Sequence, residues 1–243
     1  MIDAMESGDS IVSQLGGWDF GGNVPSIFDG HVRKSVPGYE LAHNCILYLT
    51  DPFIRNSSRY IDLGCSTGSL IFKVHERHKN KSFTIEGYDN EAKMIDTCKQ
   101  RLDSIAPNCD KISFNLLDLV YEDWGSNVDM CTMVYTLQFI PPSTRQLVVD
   151  KIFQNLNWGG GLFLFEKVRG SDARFQDYLN HAYWQYKLNS FSAEEILGKS
   201  MSLVGTMEPF STEGNLAMLK RAGFVDIMPV FKALCFEGYL AIK

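Results

Sequence analysis

Strand-like and helix-like segments alternate along most of this chain, and the alternation limits the possible folds more than any other feature. Short strands that alternate with helices pack as a mostly parallel sheet covered on both faces. Two further strands at the C-terminal end are predicted to form an antiparallel hairpin. The seven strand-like segments are 60–63, 82–88, 111–116, 128–134, 162–168, 225–231 and 234–242. The sequence therefore predicts an α/β fold with a seven-stranded sheet.

The remaining segments are predicted to lie outside this sheet. Residues 1–17 are expected to be a flexible N-terminus, and 18–243 a single domain. Aromatic and helical segments at 18–56 and 171–208 are expected to cap the sheet. The sequence NWGGG at 157–161 follows a predicted helix and is expected to act as a glycine stop before the next strand.

The sequence RYIDLGCSTGSL at 59–70 combines a strand, a glycine-rich turn and the start of a helix. Gly64 and Gly68 permit positive φ and a close approach of the backbone to a ligand. Ligands of open α/β sheets bind just beyond the carboxyl ends of the strands, where such turns lie. Asp62 would repel a pyrophosphate group but suits a cationic ligand. The spacing also differs from the G-x-G-x-x-G pattern of dinucleotide sites.

Two more acidic residues follow the next two strands. Asp89, at the end of the second strand, is placed to accept both hydroxyls of an adenosine ribose. Asp118 follows the third strand, where it could bind the exocyclic amine of adenine. Taken alone, Asp89 could instead cap the helix that follows it. Together with Asp62 and the turn, the two acids predict adenosine with a cationic tail and no phosphates, which is S-adenosylmethionine (SAM).

Several motifs carry a resemblance to known families. IDLGCSTG, YDN, LLDL, LNWGGGLFLFEK and LKRAGF resemble the successive motifs of class I methyltransferases, which implies a Rossmann-like fold. GGWDF, NVPSIFDGHVRKSVPGY, TLQFIPPSTR and FEKV are similar to motifs of the carboxy-S-adenosylmethionine synthases. The resemblance implies a set of cofactor-binding residues: Tyr39, Gly64, Cys65, Ser66, Asp89, Asn90, Asp118 and Leu119. We expect further cofactor contacts from Asp62, Gly68, Met94 and Val134.

Two departures from that family bear on the reaction. Lys199 stands where the family has an arginine that holds the extra carboxylate, and Val134 stands where it has an asparagine. Lysine keeps the charge but lacks the bidentate fork of arginine. Methyl transfer from SAM to a small molecule is therefore placed first. Three alternatives stay open: cyclisation of SAM to azetidine-2-carboxylate and methylthioadenosine, as in relatives from natural-product biosynthesis; carboxylation of SAM with prephenate; and a non-catalytic SAM-binding role.

Four residues are predicted to be catalytic. Tyr39 could contact both cofactor and substrate, and Gln138 follows the fourth strand, where this fold presents groups to the substrate. Tyr178 belongs to the predicted cap, and Lys199 could bind a carboxylate. His181 is either a general base or a surface residue.

The amino-acid composition limits the classes of binding partner. The net charge of −6 disfavours direct binding of nucleic acid. The six cysteines show no metal-ligand spacing, so we predict free thiols and no metal site. The sequence has neither a recognisable export signal nor an apolar run long enough to cross a bilayer. We expect a cytoplasmic protein that binds a small-molecule substrate or acts on SAM itself without a membrane partner, and the resemblance suggests a homodimer.

Overall fold

The computed structural model describes residues 5–107 and 109–243. A small hairpin of two strands precedes a seven-stranded sheet. The strands are β1 (Met5–Glu6), β2 (Val12–Ser13), β3 (Arg59–Leu63), β4 (Thr84–Asp89), β5 (Ile112–Leu116), β6 (Val128–Val134), β7 (Leu156–Lys167), β8 (Asp226–Ala233) and β9 (Phe236–Ile242). The helices are α1 (Val24–Ser35), α2 (Tyr39–Leu49), α3 (Ser69–Arg77), α4 (Ala92–Ile105), α5 (Arg145–Asn155), α6 (Ala173–Lys187), α7 (Ala193–Ser202) and α8 (Thr212–Ala222).

The sheet has the order β5-β4-β3-β6-β7-β9-β8. Strands β3 to β7 run parallel, whereas β9 is antiparallel to both β7 and β8. This confirms the predicted α/β fold with a terminal antiparallel pair. The strand order reverses between β3 and β6, and a reversal of this kind leaves a crevice at the carboxyl ends of the strands.

Helices cover both faces of the sheet. Because successive strand residues point to opposite sides, neighbouring residues of one strand pack against different sets of helices. Tyr60 packs in a cluster with residues of α2, α3 and α4, while the next residue, Ile61, packs with residues of α5 and α8. Both side chains are almost completely buried. The nearly continuous buried runs of the central strands therefore produce a core on each face.

The glycine run follows the end of helix α5, as predicted, but it lies inside β7 instead of before it. Helix α5 already ends at Asn155, and β7 begins at Leu156 and continues through the glycines. Gly159 adopts a φ of 80°, and its N–H donates to the Lys243 carbonyl at 2.8 Å. The glycines thus absorb an irregularity inside the strand, where a positive φ would strain any other residue.

The segments outside the sheet are more ordered than the sequence pattern predicts. Residues 5–13, assigned above to a flexible N-terminus, form the hairpin of β1 and β2, which packs on α7. Residues 1–4 lie outside the described part of the chain. The predicted cap at 171–208 contains α6 and α7, and a capping box formed by Ser192 and Glu195 begins α7. Within the described residues, no helix has the length and apolar character needed to span a membrane.

A charged cavity at the carboxyl ends of the strands

A cavity of about 890 Å³ lies at the carboxyl ends of the parallel strands, beneath α1, α6 and α7. Its floor includes the turn after β3 and the ends of β4, β6 and β7. The volume is near the upper end of the roughly 300–1,000 Å³ typical of small-molecule sites. The cavity is therefore large enough for a nucleoside-sized ligand together with a second small molecule.

The glycine turn after β3 is bound tightly to the end of β4. Gly64 has a φ of 78°, and its N–H donates to the Tyr88 carbonyl at 2.8 Å. A Cβ at Gly64 would overlap the Thr136 side chain. The Ser66 N–H donates to Asp89 Oδ2 at 2.8 Å, and Gly68 precedes α3 with a φ of 74°. Position 64 thus requires glycine for both its backbone conformation and its close packing.

The carboxylates of buried Asp62 and half-buried Asp89 lie beside this turn. Asp62 is 4% exposed and accepts a hydrogen bond of 2.6 Å from Thr132 Oγ1. Burial, followed by the nearby charge of Asp89, raises the pKa of Asp62 to about 7. Burial also raises the pKa of Asp89. A cationic ligand would stabilise both carboxylates in their ionised form.

Asp89 is not the cap of the following helix. The Glu91 side chain performs that role by accepting the Lys93 N–H at 3.1 Å. Asp89 instead accepts the N–H groups of Ser66 and Glu91, and it lines the cavity. Its carboxylate therefore joins the turn after β3 to the loop after β4, which is where a ribose ligand is expected.

Asp118 completes the acidic side of the cavity, which we define as Asp62, Asp89 and Asp118. Its Oδ1 accepts the Val120 N–H at 2.8 Å, which orients the carboxylate after β5. Buried Met94 and Leu119 supply apolar walls for a flat ring beside it. Asn90, Cys65 and Val134 also line the cavity. Carboxylates, apolar walls and a close-packed turn fit an adenosine with a cationic tail, so the residues present are compatible with SAM.

Three lysines line the cavity away from the acidic side, and we call Lys167, Lys187 and Lys199 the lysine cluster. None of them forms an ion pair among the described residues. Lys167 Nζ lies 4.6 Å from the ring centroid of Tyr183, and Lys199 Nζ contacts the face of Trp18. Burial lowers the pKa of all three, to about 8 for Lys187. Such buried cations are costly unless an anion accompanies them.

Tyr39 and Tyr135 add an aromatic wall, with ring centroids 6.4 Å apart. Tyr135 has a φ of 58°, an uncommon conformation for a large side chain and one often retained at functional sites. Its hydroxyl is buried and has no hydrogen-bond partner in the described structure. The sequence pattern did not indicate Tyr135, Lys167 or Lys187 as site residues, because each ends or follows an ordinary apolar segment.

The four predicted catalytic residues are not all in the cavity. Tyr39, Gln138 and Lys199 line it. The Gln138 amide, however, is already engaged, since its Oε1 accepts the Lys167 N–H at 3.0 Å and its Nε2 donates to the Tyr135 carbonyl at 3.3 Å. Gln138 therefore braces the loop after β6.

Tyr178 is a correction to the predicted site. It is 65% exposed and does not line the cavity, because helical periodicity places it on the outer face of α6. His181 is also exposed and outside the cavity. The inner face of α6 instead presents Gln176, Asn180, Tyr183, Trp184 and Lys187.

Comparisons with known proteins show which proteins this chain resembles. A family model described as a methyltransferase domain matches residues 61–160. The carboxy-S-adenosyl-L-methionine synthase of Campylobacter lari is 34% identical over 227 residues, covering 93% of this chain and 94% of that protein. The synthase of the same name from Shigella boydii is 33% identical over 235 residues, covering 96% of this chain and 94% of that protein.

Solved structures share the fold at much lower sequence identity. The SAM-dependent methyltransferase SibL, in its apo form, has a TM-score of 0.64 at 13% identity, covering 91% of this chain and 59% of that one. Human N-acetylserotonin methyltransferase in complex with SAM has a TM-score of 0.58 at 17% identity, covering 84% and 52%. This chain therefore spans only a little over half of their lengths, and the likeness concerns the Rossmann-like fold.

Proposed function

We propose, because this chain belongs to the carboxy-S-adenosyl-L-methionine synthase family of SAM-dependent enzymes, that it transfers the methyl group of SAM to a small anionic acceptor. The observation that carries this proposal is the charge pattern of the cavity. Carboxylates line one side, and the lysine cluster lines the region next to α6 and α7. A cationic nucleoside fits the first region and a carboxylate-bearing molecule fits the second.

The acidic side would hold the cofactor. Asp89 would accept the ribose hydroxyls, Asp118 the adenine amine, and Asp62 the ammonium group of the tail. SAM supplies an electrophilic methyl group on its sulfonium when it is bound. The rings of Tyr39 and Tyr135 offer faces that favour a nearby cation.

The lysine cluster would hold the acceptor. Lys187 and Lys199 are 5% and 8% exposed, so a carboxylate bound beside them would be shielded from water. In such surroundings a charge-assisted hydrogen bond is strong, and it orients the acceptor. The helices α6 and α7 that carry these lysines also exclude water from the reacting groups.

A second candidate is carboxylation of SAM, which the names of the relatives favour. Lys199 preserves a positive charge where the family resemblance has an arginine, so a carboxylate at this point suits both reactions. Methyl transfer is placed first because lysine lacks the bidentate fork and Val134 supplies no amide. Cyclisation of SAM alone would leave the lysine cluster with no anion other than the α-carboxylate of SAM itself.

The test identifies the products by mass after incubation of the full chain with SAM in three arms. The arms are SAM alone, SAM with prephenate, and SAM with the small-acid fraction of a cell extract. S-Adenosylhomocysteine and a methylated acid, formed only in the third arm, are expected. Methylthioadenosine from SAM alone would establish cyclisation, and carboxylated SAM in the second arm would establish the synthase reaction. Unchanged SAM in all arms would favour a non-catalytic role.

Two variants sharpen this test. Lys199→Met removes one charge of the lysine cluster, while Lys99→Met removes an exposed charge on α4. We expect the first to reduce product formation at least about tenfold and the second to leave it unchanged. Equal product formation by both variants would contradict the role given to the lysine cluster.

A further inference from the structure

His31, on α1, belongs to the cavity but has no role in the site described so far. It is 5% exposed and lies between two aromatic rings, stacked on Trp18 with centroids 6.0 Å apart and tilted against Phe191 at 5.4 Å. Its Nδ1 lies 2.9 Å from Asp9 Oδ2. Its Nε2 is buried and has no hydrogen-bond partner among the described residues. One ring nitrogen is therefore fixed, and the other is free for a ligand.

The N-terminal hairpin supplies the Asp9 carboxylate. Asp9 stands at the hairpin tip and also accepts a hydrogen bond of 2.5 Å from Lys34 Nζ. The tip is seated against Phe191, because a Cβ at Gly8 would lie 2.6 Å from that ring and Gly8 has a φ of 89°. Although burial opposes it, hydrogen bonds from Lys34 and His31 lower the pKa of Asp9. Asp9 is thus an ionised, acceptor-only partner near neutral pH.

This partner determines the tautomer of His31. An ionised carboxylate can only accept, so the proton of a neutral His31 must be on Nδ1. Burial and the charge of Lys199 lower the pKa of His31 to about 4, so the ring is neutral near pH 7. The Nε2 lone pair then needs a donor, and the cavity has to supply it.

We propose that His31 Nε2 accepts the proton of a hydroxyl group on the second substrate, which is therefore a small hydroxy acid. This inference rests on the proposed methyl transfer. The O–H bond breaks as its proton moves to Nε2, and the oxygen electron pair forms the bond to the methyl group while the former S–C pair stays on sulfur. The imidazolium formed is stabilised by Asp9 and later returns its proton to water.

The lysine cluster would couple the base to the substrate. Four charged groups act on His31: Asp9 through its hydrogen bond, Lys34 through Asp9, and Lys187 and Lys199 through their charges. The positive charges of Lys199 and Lys187 lower its pKa. A carboxylate bound to Lys199 would offset that charge and raise the pKa of His31 toward neutrality. His31 would therefore become a stronger base only when the acid is in place.

Nitrogen NMR tests the ring state independently of turnover. The full chain, labelled with ¹⁵N-histidine and saturated with S-adenosylhomocysteine, is recorded near neutral pH and then along a titration to acidic pH, and His31→Gln assigns the signal. We expect a protonated Nδ1, an unprotonated Nε2, and a His31 pKa that rises by about one or more on adding malonate. A protonated Nε2, or a pKa indifferent to malonate, would overturn the inference.

The second test measures the rate of turnover, with the acid that the product assay identifies as the second substrate. We expect His31→Gln to lower kcat by about 10²- to 10⁴-fold while the affinity for S-adenosylhomocysteine stays within about twofold. His181→Gln, an exposed histidine outside the cavity, is the matched control. Full activity of His31→Gln would refute the role of His31 as a general base and would leave the proposed methyl transfer unaffected. Absence of any methylated acid with the wild-type chain refutes methyl transfer, and the NMR result still decides the ring state of His31.

Discussion

Replacing Lys199 with methionine is expected to stabilise the ligand-free protein while weakening its activity. Lys199 is 8% exposed, and among the described residues it has no ion-pair partner. Burial, with a smaller contribution from the charge of Lys187, lowers its pKa well below the usual range. The ammonium form of Lys199 is therefore less stable in the folded protein than in water. Methionine keeps the length of the side chain without the charge.

The magnitude follows from the cost of such a group. Apolar replacement of buried ion pairs is often stabilising by about 1–4 kcal/mol, and we expect a gain in this range for the unpaired Lys199. A chain of this size gains about 2–4 °C in Tm for each kcal/mol, so an increase between about 2 and 16 °C is expected. The effect should depend on pH. The unfolded state holds the lysine proton up to a pKa near 10.4, so the penalty shrinks as the pH rises toward that value.

Calorimetric unfolding of the wild type, Lys199→Met and the exposed control Lys99→Met measures this directly. The expected result is a higher Tm for Lys199→Met alone, with a difference that is largest near neutral pH and smaller near pH 10. A lower or unchanged Tm would show that the Lys199 charge is already compensated in the free protein. Lys199 would then give no reason to expect an anionic ligand beside it.

Two other predictions concern the acidic side of the cavity and the glycine turn beside it. Burial raises the pKa of Asp62 to about 7, so binding of S-adenosylhomocysteine should tighten by up to about tenfold from pH 6 to pH 8. Asp62→Asn should flatten this profile in calorimetric titrations, and a wild-type profile without slope would contradict the assignment. Gly64→Ala should unfold at lower temperature and bind S-adenosylhomocysteine weakly, because Cβ overlaps Thr136 at a positive φ. Gly159→Ala, at a φ of 80° with open space around Cβ, isolates the cost of the backbone conformation, and equal losses in both variants would refute the packing argument.

The sheet could be predicted because its signals are local. Short apolar runs bounded by turns, together with helical periodicity, identify β3 to β9 and the helices between them. The start of β7 before the glycine run could not be predicted, because glycine occurs both at helix ends and at irregularities within strands. The hydrogen bond from Gly159 to Lys243 distinguishes the two cases in the structure. The order of the N-terminal hairpin was also missed, since it depends on packing against α7 and Phe191.

The site could be predicted only where it follows the strands. Asp62, Asp89 and Asp118 stand at or near the ends of neighbouring parallel strands, so sequence position alone brings them together. The lysine cluster joins residues of β7, α6 and α7, and the partnership of Asp9 with His31 joins a hairpin to a helix. Such contacts between residues distant in sequence depend on how the cap packs on the sheet, and no short sequence motif predicts them.

The most direct test of the account separates the two ends of the cavity by calorimetry. S-Adenosylhomocysteine is titrated first, and malonate is then titrated into the complex, for the wild type, Asp89→Ala and Lys199→Met. We expect Asp89→Ala to weaken binding of the nucleoside at least about tenfold, and Lys199→Met to weaken only malonate binding to the same extent. Loss of nucleoside binding in Lys199→Met with malonate binding unchanged would contradict the assignment of a cationic nucleoside and an anionic acceptor to separate parts of one cavity.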